Sequence, residues 1–390
     1  MPGFTTHYLF GLHAYKQLQS PALKKIIKDN PAAYSLGLQG PDLFFYFLPS
    51  YTIRRRNIGS IAHTESTNKF LRHLLDSRGL FRGKYPSACP QDPKAKDLQI
   101  AEAYIAGFLG HYILDTQCHP YVYWKTGFRM KKSNRYYSSH MSLETDIDQE
   151  LLMRERHCLP SDFRQDATIA LTKRQAHVIA KILSYIYGKT YPRLGVLHIT
   201  MHAAIRSIQL GTRFFHDPSG RKKRIAAGLE KALLGHPMLS TMIPSDTATV
   251  HEDPLNLKRR EWKNPWDMSF VSHASFPELM AQAQERYQEA LTELEKLEQT
   301  GTTFPNKQKQ DVRIRYVAPI VVAVVMVILL TAFIGLFVWG YAEDPASSPP
   351  LALTAVFIAI PTLLICGVLF ALFHRIREIG KGEIDDAKKY

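Results

Sequence analysis

Between Met1 and Gln299 apolar residues recur at helical rather than strand spacing. Leu98, Ile105, Phe108, Leu109 and Tyr112 fall on one stripe, and Ile169, Leu171, Val178, Ile179, Ile182 and Leu183 on another. Period-2 alternation is scarce, so this region is expected to be mostly α. Ser275-Phe-Pro-Glu278 has the spacing of a capping box, in which the serine hydroxyl accepts from the third backbone amide and the glutamate reaches back. It predicts one long helix over Met280 to Leu297. Clusters of Pro and Gly predict loops at Lys84 to Lys94, Arg156 to Asp162, His216 to Arg221 and Pro244 to Pro265. No repeat of fixed period occurs.

The far end reads differently. No residue is charged from Tyr316 to Ala342 or from Leu351 to Phe373, and each run exceeds the roughly 20 residues that cross a bilayer. Pro361 is compatible with a membrane helix, and Tyr316, Trp339 and Tyr341 sit where an interfacial aromatic belt would lie. Lys307, Lys309, Arg313 and Arg315 precede the pair; His374, Arg375, Arg377 and Lys381 follow it, whereas the segment between has no Lys or Arg. The positive-inside rule then puts both termini and the main domain in the cytoplasm. The expected organisation is a helical domain over 1–300, a basic juxtamembrane linker over 301–315, membrane helices over 316–342 and 351–373 joined by an external turn over 343–350, and a charged cytoplasmic tail over 374–390.

Composition narrows the classes of function. Apolar residues make up 45% and charged residues 22%, which excludes collagen-like and wholly disordered chains. Forty-nine Lys and Arg against 35 Asp and Glu leave a formal charge of +14, which favours a phosphate-bearing partner: anionic lipid, nucleic acid or a phosphorylated substrate. Cys89, Cys118, Cys158 and Cys366 show no C-x-x-C spacing, so neither a disulfide scaffold nor a cysteine zinc ribbon is expected, and a reducing compartment is the simpler reading. The opening residues lack the pattern of a secretory signal, and Pro2 is incompatible with myristoylation. No P-loop, G-x-G-x-x-G or G-x-S-x-G is present, which argues against P-loop enzymes, dinucleotide folds and serine hydrolases of the elbow type.

Among 16 histidines, placement matters more than number. His111, Asp115 and His119 stand at i, i+4 and i+8, on one side of a helix. His140 and Glu144 repeat that spacing, with Asp148 one turn further. Neutral imidazole and carboxylate are the donors that zinc accepts when no thiolate is offered. The first set lies among Tyr104, Ile105, Phe108, Leu109, Ile113 and Leu114, where burying such groups is costly unless something satisfies them. A simple His–Asp hydrogen bond accounts for either set taken alone; the two together point to metal. His198 and His202 share the spacing but bring no carboxylate, so packing or exposure is the expectation there. Arg54–Arg56 and Arg221–Arg224 read as solvated basic runs.

Taken in order, several motifs resemble the zinc-dependent phospholipase C family, whose helical fold is shared with the fungal single-strand nucleases. They are Thr-Thr-His7, Leu-Gly-Leu-Gln-Gly-Pro-Asp42-Leu-Phe-Phe-Tyr, Ala-His63-Thr-Glu, Gly-His111-Tyr-x-x-Asp115-x-x-x-His119-Pro and His140-x-x-x-Glu144. The likeness is clearest from Met1 to about Asp148 and is expected to extend over the helices to Leu297, leaving out the membrane hairpin. It implies an all-α multi-helix bundle ahead of the two membrane helices. It also implies zinc ligands: Asp42, His63, His111 and Asp115 around one ion, His119, His140 and Glu144 around a second, and Asp115 with His7 toward a third. Secreted members complete that third site with a tryptophan exposed by signal cleavage. This chain begins Met-Pro-Gly-Phe, so two ions are expected, and the third to be weakly held, differently ligated or absent.

The implied activity is phosphodiester hydrolysis, of a phospholipid headgroup first of all, with Asp42 beside the attacking water as the catalytic carboxylate. A single-stranded nucleic acid or soluble phosphate ester is the alternative substrate, for which stacking aromatics are expected beside the site; Phe44, Phe45, Tyr46, Tyr121, Tyr123 and Trp124 could serve so, or equally face lipid or the core. The third alternative is a membrane-tethered binding or scaffold protein that keeps its metal but not its turnover.

Overall fold

The computed structural model describes residues 3–51, 57–81, 93–127, 134–233, 237, 239–246 and 251–299. The two apolar runs at 316–342 and 351–373, the Arg54–Arg56 run, Cys89 and Cys366 therefore lie outside the described residues. The chain divides into two compact units, Met1–Phe304 and Pro305–Tyr390. Among the described residues, all in the first unit, no helix is long and apolar enough to cross a membrane.

Twelve α-helices are described: α1 Phe4–Gln17, α2 Pro21–Asp29, α3 Pro31–Leu38, α4 Ile58–Thr64, α5 Thr67–Asp76, α6 Pro93–Lys125, α7 Asn134–Arg156, α8 Gln165–Thr168, α9 Lys173–Thr190, α10 His198–Phe215, α11 Arg221–Leu233 and α12 Phe276–Gln299. A 3-10 turn, Gly40–Phe45, follows α3. The hub is α6, against which α3, α12, α9 and α1 pack. Its Ile105, Tyr104, Ala101 and Leu114 are fully buried, and each large side chain of that kind removed from water contributes about 1.5–3 kcal/mol. The crossing of α3 over α6 is close because Gly37 and Gly107 meet there. A Cβ on Gly37 would run into the Tyr104 carbonyl, and one on Gly107 into the Tyr34 carbonyl. Buried hydroxyls tie the hub to its neighbours: Tyr287 Oη donates to the Ala106 carbonyl at 2.6 Å, and Tyr34 Oη to Gly11 at 3.0 Å.

Three local expectations change. The mostly helical domain also carries an antiparallel hairpin, β1 Trp262–Asn264 with β2 Asp267–Ser272. Nearly all of β2 is exposed on both faces, so no apolar–polar alternation announces it. Ile169 and Leu171 precede α9, whose start is set by a capping box of Thr172 and Gln175. At Ser275 the glutamate half of the expected box forms, Glu278 accepting from the Ser275 amide at 2.8 Å, but the serine hydroxyl donates to that same carboxylate at 3.0 Å.

Candidate metal centre

The helix α6 delivers His111, Asp115 and His119 from one side, as the spacing predicts, and α7 delivers His140 and Glu144. The remaining three candidates arrive from separate elements: His7 from α1, Asp42 from the 3-10 turn and His63 from the end of α4. All eight meet in one continuous set. Asp115 stands at its middle, with Oδ1 3.2 Å from His7 Nε2 and Oδ2 3.4 Å from both His63 Nε2 and His111 Nε2. Asp42 Oδ1 lies 3.3 Å from His63 Nε2 and 3.9 Å from His111 Nε2. On the other side His119 Nδ1 is 3.7 Å from Asp115 Oδ2, while its Nε2 is 3.9 Å from Glu144 Oε1, which His140 Nε2 approaches to 2.8 Å.

The scaffold explains how each arrives. Gly3 gives α1 no side-chain cap; Asp148 of α7 supplies one from across the fold. Its carboxylate accepts from the Thr5 amide at 2.9 Å, the Thr6 amide at 2.8 Å and the Thr6 hydroxyl at 2.6 Å. A carboxylate at a helix N-terminus is favourable, so Asp148 anchors α1, and with it His7, instead of adding a donor to the cluster. The 3-10 turn is tied to α4 by Asn57, whose Nδ2 donates to the Phe44 carbonyl at 2.9 Å and whose Oδ1 caps the Gly59 amide at 2.7 Å. Asp42 and His63 are thereby held together. Gly40 sits in the left-handed region at φ +49°, and a Cβ there would run into the His111 ring. Gly40→Ala is therefore expected to displace His111 and weaken zinc binding by about 10–100-fold, the scale of losses when the support of a ligand is disturbed; equilibrium dialysis against zinc reads it.

Protonation of the rings follows from their backs. His63 Nδ1 lies 2.8 Å from the Gly59 carbonyl and His111 Nδ1 3.1 Å from the Leu38 carbonyl. A carbonyl only accepts, so both Nδ1 atoms carry hydrogen, and in the neutral rings both lone pairs are on Nε2. Those two Nε2 atoms face each other at 3.3 Å, beside two carboxylates. A cation between them reconciles the arrangement. Tetrahedral zinc with bonds of about 2.0–2.2 Å sets its ligand atoms about 3.3–3.6 Å apart, which is the spacing found among His63, His111 and Asp115 and between Asp42 and His63, with Asp42 farther from His111 at 3.9 Å. Moreover, His7 Nδ1 and Nε2, Asp42 Oδ1, both Asp115 oxygens and His119 Nε2 are buried without a hydrogen bond of proper geometry. Left so, they would be costly. The donor set fits zinc.

Electrostatics agree. Burial pushes His111 down to about 4, helped by His7 and His63 nearby, so it is neutral as a ligand must be; burial likewise holds His119 well below its ordinary value. Burial alone would raise Asp115, but the surrounding imidazoles, His111 and His119 foremost, hold it well below the usual carboxylate range. For His63, burial opposes the charge and is outweighed by Asp115 and Asp42, which lift it to about 10: without metal, a proton there carries the positive charge.

Sequence reasoning missed the carbonyls of Leu38 and Gly59, which no residue type encodes, and the role of Asp148. Of the candidate aromatics, Tyr123 lies beside the centre, its ring 5.1 Å from His119 and 5.0 Å from His140; sequence reasoning missed Trp266 of the hairpin, edge-on to it at 4.9 Å. Among the described residues Cys118 and Cys158 are free thiols.

No curated protein and no solved structure matches this chain. Residues 6–198, just under half of its length, do match a family model, that of zinc dependent phospholipase C. The match takes in all eight clustered side chains and stops at the first residue of α10, so the expected continuation of the likeness to Leu297 is not part of it. With a zinc-fitted cluster inside the matched segment, residues 6–198 are similar to the zinc-dependent phospholipase C family, and the chain is a zinc-dependent phospholipase C-like hydrolase.

Proposed function

We propose that the chain hydrolyses the headgroup phosphodiester of a membrane phospholipid, at a centre ligated by His7, Asp42, His63, His111, Asp115, His119, His140 and Glu144. The observation that carries this reading is the convergence of imidazole nitrogens and carboxylate oxygens from five separate elements, with those of His7, Asp42, Asp115 and His119 buried without a hydrogen bond of proper geometry. Zinc, when bound, supplies Lewis acidity that stabilises phosphoryl charge and lowers the pKa of water toward about 7. His63, His111 and Asp115 would hold one ion, and His119, His140 and Glu144 would hold another. Asp42, beside His63 and His111, orients the attacking water and takes its proton. The water oxygen bonds to phosphorus, the P–O bond to diacylglycerol breaks, and the leaving oxygen is protonated.

A lipid is favoured over a soluble ester by the hairpin next to the centre. Trp266, Met268 and Phe270 are 60%, 57% and 52% exposed, and Trp266 reaches the centre through Tyr123. Exposed apolar side chains of this kind beside a site suit an acyl–water boundary. The charge-free runs at 316–342 and 351–373 support a two-pass anchor that would keep the domain at the cytoplasmic leaflet, where tethering raises the effective substrate concentration.

Purified protein assayed on phosphatidylcholine micelles, a water-soluble phosphocholine ester and single-stranded DNA tests this. Turnover is expected to be highest on micelles, and Trp266→Ser is expected to lower the micellar rate about tenfold while leaving the soluble ester unchanged, since only the former needs the apolar contact. Higher turnover on DNA, or an equal loss on both esters, would overturn the lipid assignment.

A further inference from the structure

Away from that centre, three more imidazoles converge. His177 lies in the first half of α9, and His198 and His202 begin α10 at i, i+4. A donor atom from each lies within 4.8 Å of the other two. The His198 and His202 rings are 4.7 Å apart, His177 is 5.2 Å from His198, and His177 stacks on His202 at 5.8 Å. Sequence spacing alone assigns His198 and His202 to packing or exposure and gives His177 no partner; only the fold brings the third ring in.

The backing of His198 repeats the logic of His63 and His111. Its Nδ1 lies 3.3 Å from Ser184 Oγ, and Ser184 Oγ is 2.7 Å from the Ala180 carbonyl. The carbonyl can only accept, so the hydroxyl proton is spent on it, and the hydroxyl oxygen accepts from His198. That fixes the hydrogen of the neutral ring on Nδ1 and the lone pair on Nε2, as in metal-ligating histidines held by an outer partner. Burial, with His177 close by, keeps His202 below the ordinary histidine value, so it too offers a neutral ring near pH 7.

From this geometry we propose that His177, His198 and His202 form a further metal site, a three-histidine site for a borderline divalent cation such as Zn2+ that clips α9 to α10. Three imidazoles suit Zn2+, Cu2+ or Ni2+ and are unsuited to Mg2+ or Ca2+, and three protein nitrogens leave a fourth position for water. The clip bears on the hydrolytic centre without belonging to it. Tyr187 of α9 packs edge-on against Phe44 at 5.0 Å, and Phe215 of α10 lies 6.0 Å from Tyr46, so both helices buttress the 3-10 turn that carries Asp42.

Equilibrium dialysis of the full chain against Zn2+, with parallel Cu2+ binding followed by electron paramagnetic resonance, decides the matter. The parent is expected to hold one more equivalent than His177→Ala or His202→Ala, and a nitrogen-ligated Cu2+ spectrum that persists in His111→Ala is expected to vanish in His177→Ala. His177 is exposed, so its replacement leaves the fold intact, and circular dichroism verifies this. Equal zinc equivalents in parent and both variants would overturn the site. Because the comparison is a difference between variants that share the hydrolytic centre, it stands or falls separately from the activity assigned to that centre.

Discussion

His111→Ala is expected to lose zinc and to lower turnover by about three orders of magnitude. His111 Nε2 lies 3.3 Å from His63 Nε2, 3.4 Å from Asp115 and 3.9 Å from Asp42, so it is shared by every pair on that side of the centre. Metal charge stabilisation is worth several kcal/mol, and each 1.36 kcal/mol is about tenfold in rate. The ring is buried, so His111→Gln, which keeps most of the volume, serves as the folding control. Glu144→Ala tests the other side, where the carboxylate sits between His119 and His140. Asp42→Asn tests proton transfer above all: His63, His111 and Asp115 remain, so zinc is still bound, though more weakly for the lost carboxylate, while turnover falls about 10²–10⁴-fold with the lost base. Zinc content and hydrolysis of phosphatidylcholine and a simple phosphodiester read all four. Equal metal and equal turnover in His111→Ala and the parent would refute the placement of the centre.

The part of this centre that could be seen in the chain is the part built locally. His111, Asp115 and His119 share one helix, as do His140 and Glu144, and helical periodicity fixes their common face before any tertiary contact exists. His7, Asp42 and His63 come from three other elements, so no spacing rule reaches them; they became visible through ordered motifs. Asp148 illustrates the limit. Its position one turn past Glu144 invites a ligand reading, and only the packing of α7 against α1 turns it toward the Thr5 and Thr6 amides. The same holds for His177, a lone histidine until α9 and α10 pack. The tautomers were invisible for a different reason, since they depend on carbonyls that every residue has. The hairpin escaped because a strand exposed on both faces has no apolar side to print a period.

Stripping zinc from the parent with a chelator is expected to lower its Tm by about 10 °C. The carboxylates of Asp42, Asp115 and Glu144 are all buried in the centre. Of the imidazoles beside them, His111 and His119 are pushed toward neutrality by burial, and His63 is lifted to about 10. Anionic charge is thus in excess of its compensation until a divalent cation enters, and that excess opposes folding. At free zinc about 1,000-fold above its Kd the bound ion contributes about 4 kcal/mol, and a domain of this size shifts by about 2–4 °C per kcal/mol. The sign is set by which state binds: the unfolded chain scatters the ligands over more than a hundred residues, so zinc favours the native state. The entering ion displaces the His63 proton, so uptake near pH 7 releases protons, and affinity rises with pH until about 10. Scanning calorimetry with and without chelator, alongside titrations in two buffers of different ionisation heat, measures both effects. His111→Ala should show a much smaller chelator shift; a parent whose Tm stays within a degree would contradict a metal held at this centre.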